Sequence, residues 1–181
     1  MGMRRALLIF LVLLFLYVNA GASCMAPCLN QTTQEIETLV FEEMNKERER
    51  HGLRALTWNI LLSDIARRHS LDMAGKNYLS HKNHNNEGPS DRAAKKRLDI
   101  TKTKKSGMMR GIGENICKIP AGNIEGYGQV KTETDIAGIA MKEWMKSPEH
   151  RANILNPDYD FIGIGAAYDG NGNYYITQNF K

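Results

Sequence analysis

The stretch that most constrains this chain runs from Trp144 to Tyr168, WMKSPEHRANILNPDYDFIGIGAAY. A helical segment carrying Trp144 and Met145 stops at Ser147. Ser147 reads as the cap of a second, short helix with Pro148 at its first position, where proline's fixed φ fits and its missing N–H is not needed. Glu149 falls where the helix dipole favours a carboxylate. His150 stands one turn before Ile154, and Asn156-Pro157 ends the helix, because the residue before a proline avoids the helical conformation. From Phe161 the apolar period becomes two: Ile162, Ile164 and Ala166 alternate as the buried face of a strand. The pattern therefore fixes a histidine at the mouth of a short helix, beside a core strand.

The remaining elements follow the same rules. Thr32 and Glu35 form a capping-box signature, and Ile36, Leu39, Val40 and Met44 give the helix behind them one apolar face, ending near His51-Gly52. Leu53, Leu56 and Trp58 lie on a connecting segment. A second helix starts near Asn59 and weakens at Gly75, with Leu61, Leu62, Ile65, Ala66, His69 and Met73 at helical spacing. His69 is read there as a packing residue, the commoner role of a histidine on an apolar face. Tyr78 to Pro89 is a polar loop holding His81 and His84. Ser90 caps a short helix from Asp91 to Leu98, and a basic loop runs to Gly107. Gly111 to Cys117 reads as a short strand, and Lys118 to Thr132 as a loop or irregular hairpin. Thr134 or Asp135 caps a third main helix, Ile136 to Lys146. Strands Phe161–Tyr168 and Tyr174–Phe180 flank Asp169-Gly-Asn-Gly-Asn173, a strong hairpin signal. Helices, a strand, a helix and a hairpin in that order predict an α+β fold, with helices packed on a small, largely antiparallel sheet.

The first residues read as an address rather than as fold. Arg4-Arg5 precede 13 apolar residues, Ala6 to Val18, and small residues follow to Cys24. This is a secretory signal pattern, too short for a spanning helix, which needs about 20 residues. Cleavage after Ala22 is one outcome. Lipidation of Cys24 is another, although Gly21 stands where such sites carry Leu, and an uncleaved anchor is a third. The division is thus a signal over 1–22, a tether over 23–33 and one domain over 34–181.

Without Arg4 and Arg5, 22 basic residues face 20 acidic ones, a net charge of +2 that gives no case for specific nucleic-acid binding. Eight basic residues against Asp99 alone lie between Arg92 and Arg110. They read as a solvated loop or as a contact for anionic polymer or head groups. Three cysteines, Cys24, Cys28 and Cys117, leave one over if a bridge forms. Cys28–Cys117 is the tidiest pairing; Cys24–Cys28 and three free thiols are the alternatives.

His81, Glu114, Glu143 or Glu149, and His150 are the candidate site groups, since imidazole and carboxylate together suit a divalent ion such as zinc. At these residues the chain resembles a known family. Leu79-Ser-His81, Gly113-Glu-Asn-Ile116, Trp144-Met-Lys-Ser-Pro-Glu-His-Arg151, Asn153-Ile-Leu-Asn156, Ile162-Gly-Ile-Gly165 and Tyr175-Ile-Thr-Gln-Asn-Phe180 look like the CAP superfamily. This is the SCP domain of cysteine-rich secretory, antigen-5 and pathogenesis-related proteins, and the match is to its compact prokaryotic branch. The resemblance implies a three-layer α-β-α sandwich, a secreted or surface location and a central cleft lined by two His and two Glu. Three of those positions fall on His81, Glu114 and His150. The fourth falls on Ser147, so one carboxylate of the pattern is missing. Glu149 is the better substitute, because Glu143 adjoins Trp144 on a helix and points elsewhere. His81, Glu114 and His150 still make a three-ligand site for a divalent metal.

Two function classes follow. One is an exported binding module whose cleft takes a metal, a small molecule, a lipid, a peptide or a cell-envelope component. It would touch membrane through its signal, anchor or lipidated Cys24. The other is a secreted metal-assisted peptidase or esterase with Glu114 as base. The first is favoured, because the chain has neither a Gly-x-Ser-x-Gly turn nor a His-Glu-x-x-His helix. Intact-mass measurement of the protein recovered from its host should give a chain starting at Ser23, or at Cys24 with added lipid. A mass that still includes Arg4-Arg5 would refute removal of the signal.

Overall fold

The computed structural model describes residues 31–104 and 107–181. The helices are α1 (Gln31–Arg50), α2 (Ile60–Lys76), α3 (Pro89–Lys95), α4 (Glu133–Lys146) and α5 (Pro148–Ile154). The strands are β1 (Thr57–Trp58), β2 (Thr101–Lys104), β3 (Gly107–Arg110), β4 (Gly113–Pro120), β5 (Gly122–Ile124), β6 (Gly128–Val130), β7 (Phe161–Tyr168) and β8 (Asn173–Phe180). The central sheet has the order β1-β7-β8-β4. β8 runs antiparallel to both β7 and β4, while β1 joins β7 in parallel, so the connecting segment around Trp58 becomes a short edge strand. Two hairpins, β2-β3 and β5-β6, stand apart from it.

The alternation read in β7 sorts the core into layers. Ile162, Ile164 and Ala166 of β7 and Ile176 and Phe180 of β8 face α1, α4 and α5 in one apolar cluster. On the opposite face Ala167, Tyr175 and Ile116 pack against Met73 and Ala74 of α2. Leu62 and Ile65 extend that layer to Ala93 of α3. This is the expected α+β sandwich with helices on both sides of the sheet.

What brings α2 so close is the pair Gly163 and Gly165. A Cβ on Gly163 would lie 2.2 Å from Leu62 C and Ser63 N, and one on Gly165 2.0 Å from Arg67 N. The helix backbone thus rests directly on the strand, as glycines inside strands allow. Beyond β1 the same approach satisfies the open edge of β7, where Ser63 Oγ accepts from Ile164 N (3.3 Å) and Glu37 accepts from Ala166 N (3.0 Å). Ser70 Oγ adds a bond from the sheet's face, donating to Gly165 O (2.9 Å). Glu37 is buried, and Arg67 grips it in a two-pronged ion pair (2.7–2.9 Å). The β4 edge is blocked by Trp144, whose indole N–H donates to Ile116 O (3.2 Å), and by Asn153, which donates to Glu114 O (3.2 Å). Side chains therefore close both edges to a further strand.

Several boundaries differ from the sequence reading. α1 already includes Gln31–Thr33, part of the expected tether. α2 continues one residue past Gly75 to Lys76 and is capped by Asn77 in the left-handed conformation (φ 51°). α3 is entered through Gly88 and Pro89. Ser90 does not cap it; its Oγ accepts from Ile112 N (3.1 Å). Thr132 caps α4, with Asp135 returning the bond, so the helix starts three residues before Ile136. Ser147 is the cap residue of α5 by position, but its hydroxyl makes no capping bond. Each error is local: neighbouring polar residues competed for one cap, and geometry chose between them.

Gly165→Ala should be strongly destabilising, by roughly 2–4 kcal/mol, because the added methyl meets helix backbone that no rotamer change can move. Gly170, with open space but φ +79°, should cost about 1 kcal/mol when changed to Ala. Urea midpoints of the two variants check the ranking, and equal midpoints would remove the close-approach argument.

Candidate functional site

The site forms where the loop after α2, helix α3, strand β4 and helix α5 meet. Glu114, buried on β4, is its centre. One carboxylate oxygen bonds His81 Nδ1 at 2.9 Å, and the other takes Arg92 Nη2 at 2.5 Å. Arg92 is itself largely buried, and its Nη1 also donates to His81 O (2.9 Å) and Glu87 O (2.8 Å). One guanidinium thus ties the carboxylate to the loop that carries the imidazole. Arg92 was read only as the start of a basic run, and nothing in the sequence marked it as the counter-charge of Glu114. Much of that run is paired: Lys95 bonds Glu87, and Lys96 reaches Asp64 at 2.7 Å.

His69, read as a packing residue, has a second task. It is buried, and its Nε2 bonds Ser80 O at 2.9 Å, which fixes the residue before His81. That bond makes Nε2 the protonated nitrogen when the ring is neutral, since a carbonyl can only accept. His84 does not join His81 as a paired ligand; it is exposed and stacks on Tyr78, with centroids 4.5 Å apart.

His150 sits in the first turn of α5, which a buried amide network fastens to β4. Asn115 Nδ2 donates to His150 O (3.1 Å) and to Gln178 Oε1 (3.1 Å), and Asn115 Oδ1 accepts from Asn153 Nδ2 (2.9 Å). Gly113 leaves room at this seam, because a Cβ there would lie 2.3 Å from Tyr159 Oη. Burial lowers the pKa of His150, and the nearby His81 lowers it further. The two rings therefore share one electrostatic neighbourhood.

The remaining candidates stand aside. Glu149 is exposed, and its nearest polar contact is Ser147 Oγ at 3.5 Å. Glu143 is exposed and bonds Tyr127 Oη and Lys146. Among the described residues, no three His, Cys, Asp or Glu side chains converge to hold a metal ion. The donor chemistry agrees, since both oxygens of Glu114 are engaged, one by a guanidinium. What the residues do fit is an arrangement in which a carboxylate fixes the tautomer of a histidine, the usual partner behind a metal-bound imidazole. Cys117 lies on β4 and is in no disulfide among the described residues; Cys24 and Cys28, its expected partners or alternatives, lie outside them.

Burial also lowers the pKa of His69 below its ordinary value of 6.5. The unfolded chain then binds more protons near pH 6 than the folded one. Stability present above pH 6.5 is lost as the pH falls through that value. His69→Gln keeps a donor for Ser80 O and should flatten this part of the profile, which urea midpoints at pH 7.5 and 5.0 would reveal.

Known proteins share this fold. YkwD, an uncharacterized protein of Bacillus subtilis (strain 168), is 35% identical over 144 residues, covering 80% of this chain and 46% of its own. The chain spans less than half the length of the curated relatives it matches. The SCP-domain structure of an extracellular protein from Bacillus anthracis str. Ames superposes with a TM-score of 0.61 at 27% identity, covering 82% of this chain and 40% of that one. An outer surface protein from Borrelia burgdorferi shares the fold at 17% identity (TM-score 0.62, covering 82% and 93%). So does NaASP2, whose structure was determined with Zn2+ (12% identity, TM-score 0.53, covering 84% and 83%). Residues 41–180 match the cysteine-rich secretory protein family, CAP, and that span holds every element from the body of α1 to the end of β8. The chain with Glu114 clamped between His81 and Arg92 belongs to the CAP family.

Proposed function

We propose that this protein is an exported binding module whose recognition surface is the cleft floored by His81, Glu114 and His150. The observation that carries the reading is the bond from His81 Nδ1 to Glu114, closed on the far side by Arg92. It leaves His81 Nε2 as a free lone pair on a half-exposed ring, close to a second imidazole that burial keeps neutral. An imidazole oriented by a carboxylate, with a second imidazole nearby, can take a divalent cation weakly, or an acidic hydrogen on a small ligand. Glu114 would orient from behind rather than ligate. A bound cation would supply positive charge to a ligand in the cleft, such as a peptide or an envelope component.

Export is supported by the signal pattern before Cys24 and by relatives described as extracellular and outer-surface proteins. The hydrolase reading is weaker, because Glu114 has both oxygens committed to His81 and Arg92 and is poorly placed to take a proton from water.

Zinc at ten times its dissociation constant should stabilise the protein by about 1.4 kcal/mol, raising the melting temperature by roughly 4 °C. His81→Ala and His150→Ala should each abolish the rise. Melting curves for both variants that move with zinc as the wild type does would remove the two-imidazole site.

A further inference from the structure

We propose that a second hollow, separate from the cleft, binds a small organic carboxylate with an apolar body. It lies between α2 and α3, behind Arg92, and has a volume of about 270 Å3. Its α2 wall is built from Ile65, Arg68, His69 and Asp72, at the helical spacing that puts four residues on one face. Its α3 wall is Arg92, Lys95 and Lys96.

Charge is what selects the ligand. Asp72 serves Lys76, Glu87 serves Lys95, and Glu114 serves Arg92. Asp64 alone must serve two cations, Arg68 at 3.1 Å and Lys96 at 2.7 Å. Among the lining residues Arg68, Arg92, Lys95 and Lys96 outnumber Asp72 and Glu87, and with their partners outside the lining, Lys76, Asp64 and Glu114, counted in, five cations meet four carboxylates. The inner wall adds a second sign of incompleteness. Arg92 Nε is a buried donor without a hydrogen-bond partner among the described residues, in a molecule where buried polar groups are otherwise mostly paired. The aliphatic stems of Arg68, Lys95 and Lys96 offer apolar surface to the body of such a molecule above a base of buried Ile65 and His69, and a bare inorganic anion would leave that surface unused. A monoanion of this kind would give Lys96 a counter-ion of its own and free Asp64 for Arg68.

Calorimetric titration of the full chain with benzoate and, separately, with inorganic phosphate tests this. Benzoate should bind, and phosphate should bind at least tenfold more weakly. Lys96→Met should weaken benzoate about tenfold, the worth of one charge-assisted contact. Asp64→Asn, which releases both cations, should strengthen it severalfold, an outcome that misfolding cannot imitate. His150→Ala should leave it unchanged. No benzoate binding, equal affinity for phosphate, or an Asp64→Asn variant that binds no better overturns the proposal. So does a loss of binding in His150→Ala, which would put the benzoate in the cleft.

Discussion

The structure depends on one contact: the backbone of α2 lying on Gly163 and Gly165 of β7, with no side chain between. Ordinary helix-on-sheet packing keeps a layer of side chains at the interface. Here the strand gives up that layer at two positions, and the helix can settle near enough for Ser63 and Ser70 to reach the strand's backbone. The same approach places Arg67 against Glu37, so a buried ion pair and an edge-strand N–H are satisfied together. A buried carboxylate without such partners would be strongly unfavourable. Burial does raise the pKa of Glu37, and Arg67 and the Ala166 N–H work against that rise.

The site inherits its precision from this packing. His69 comes from α2, and through Ser80 it sets the position of His81. Glu114 comes from β4, whose place is fixed by the long antiparallel register with β8. Arg92 comes from α3, which shares the Leu62 and Ile65 layer through Ala93. His150 arrives from the other side of the sheet, held by Asn115, Asn153 and Gln178. Two layers closing on one sheet bring these elements together: backbone carbonyls brace Arg92 and His69, Glu114 braces His81, and Asn115 holds the backbone of His150. A group held this way loses little freedom on binding, which favours recognition over mobility.

Arg92 lies between the His81–Glu114 pair and the hollow between α2 and α3. Its two terminal nitrogens face Glu114, His81 O and Glu87 O, while its Nε is buried without a hydrogen-bond partner among the described residues. Any ligand that turns this guanidinium alters the partner that keeps the His81 tautomer fixed.

Much of the fold was legible in the sequence, because period and punctuation are local. The change from helical spacing to alternation at Phe161, the Pro148 entry into α5 and the Asp169–Asn173 turn depend on residues within a few positions of one another. His81, Glu114 and His150 were legible through motifs that resemble a family, not through spacing, since 69 residues separate the two histidines. What tertiary structure alone decided is partnership. Sequence cannot tell that Arg92, in a basic run, neutralises Glu114 rather than facing water, because 22 positions of chain separate them and burial selects the pair. Nor can it tell that His69 serves Ser80, or that Glu149 stays outside the group it was chosen to complete. The helices and strands were written in local periodicity. Which charges meet was settled only when the layers closed and left each buried ion to find the nearest opposite one.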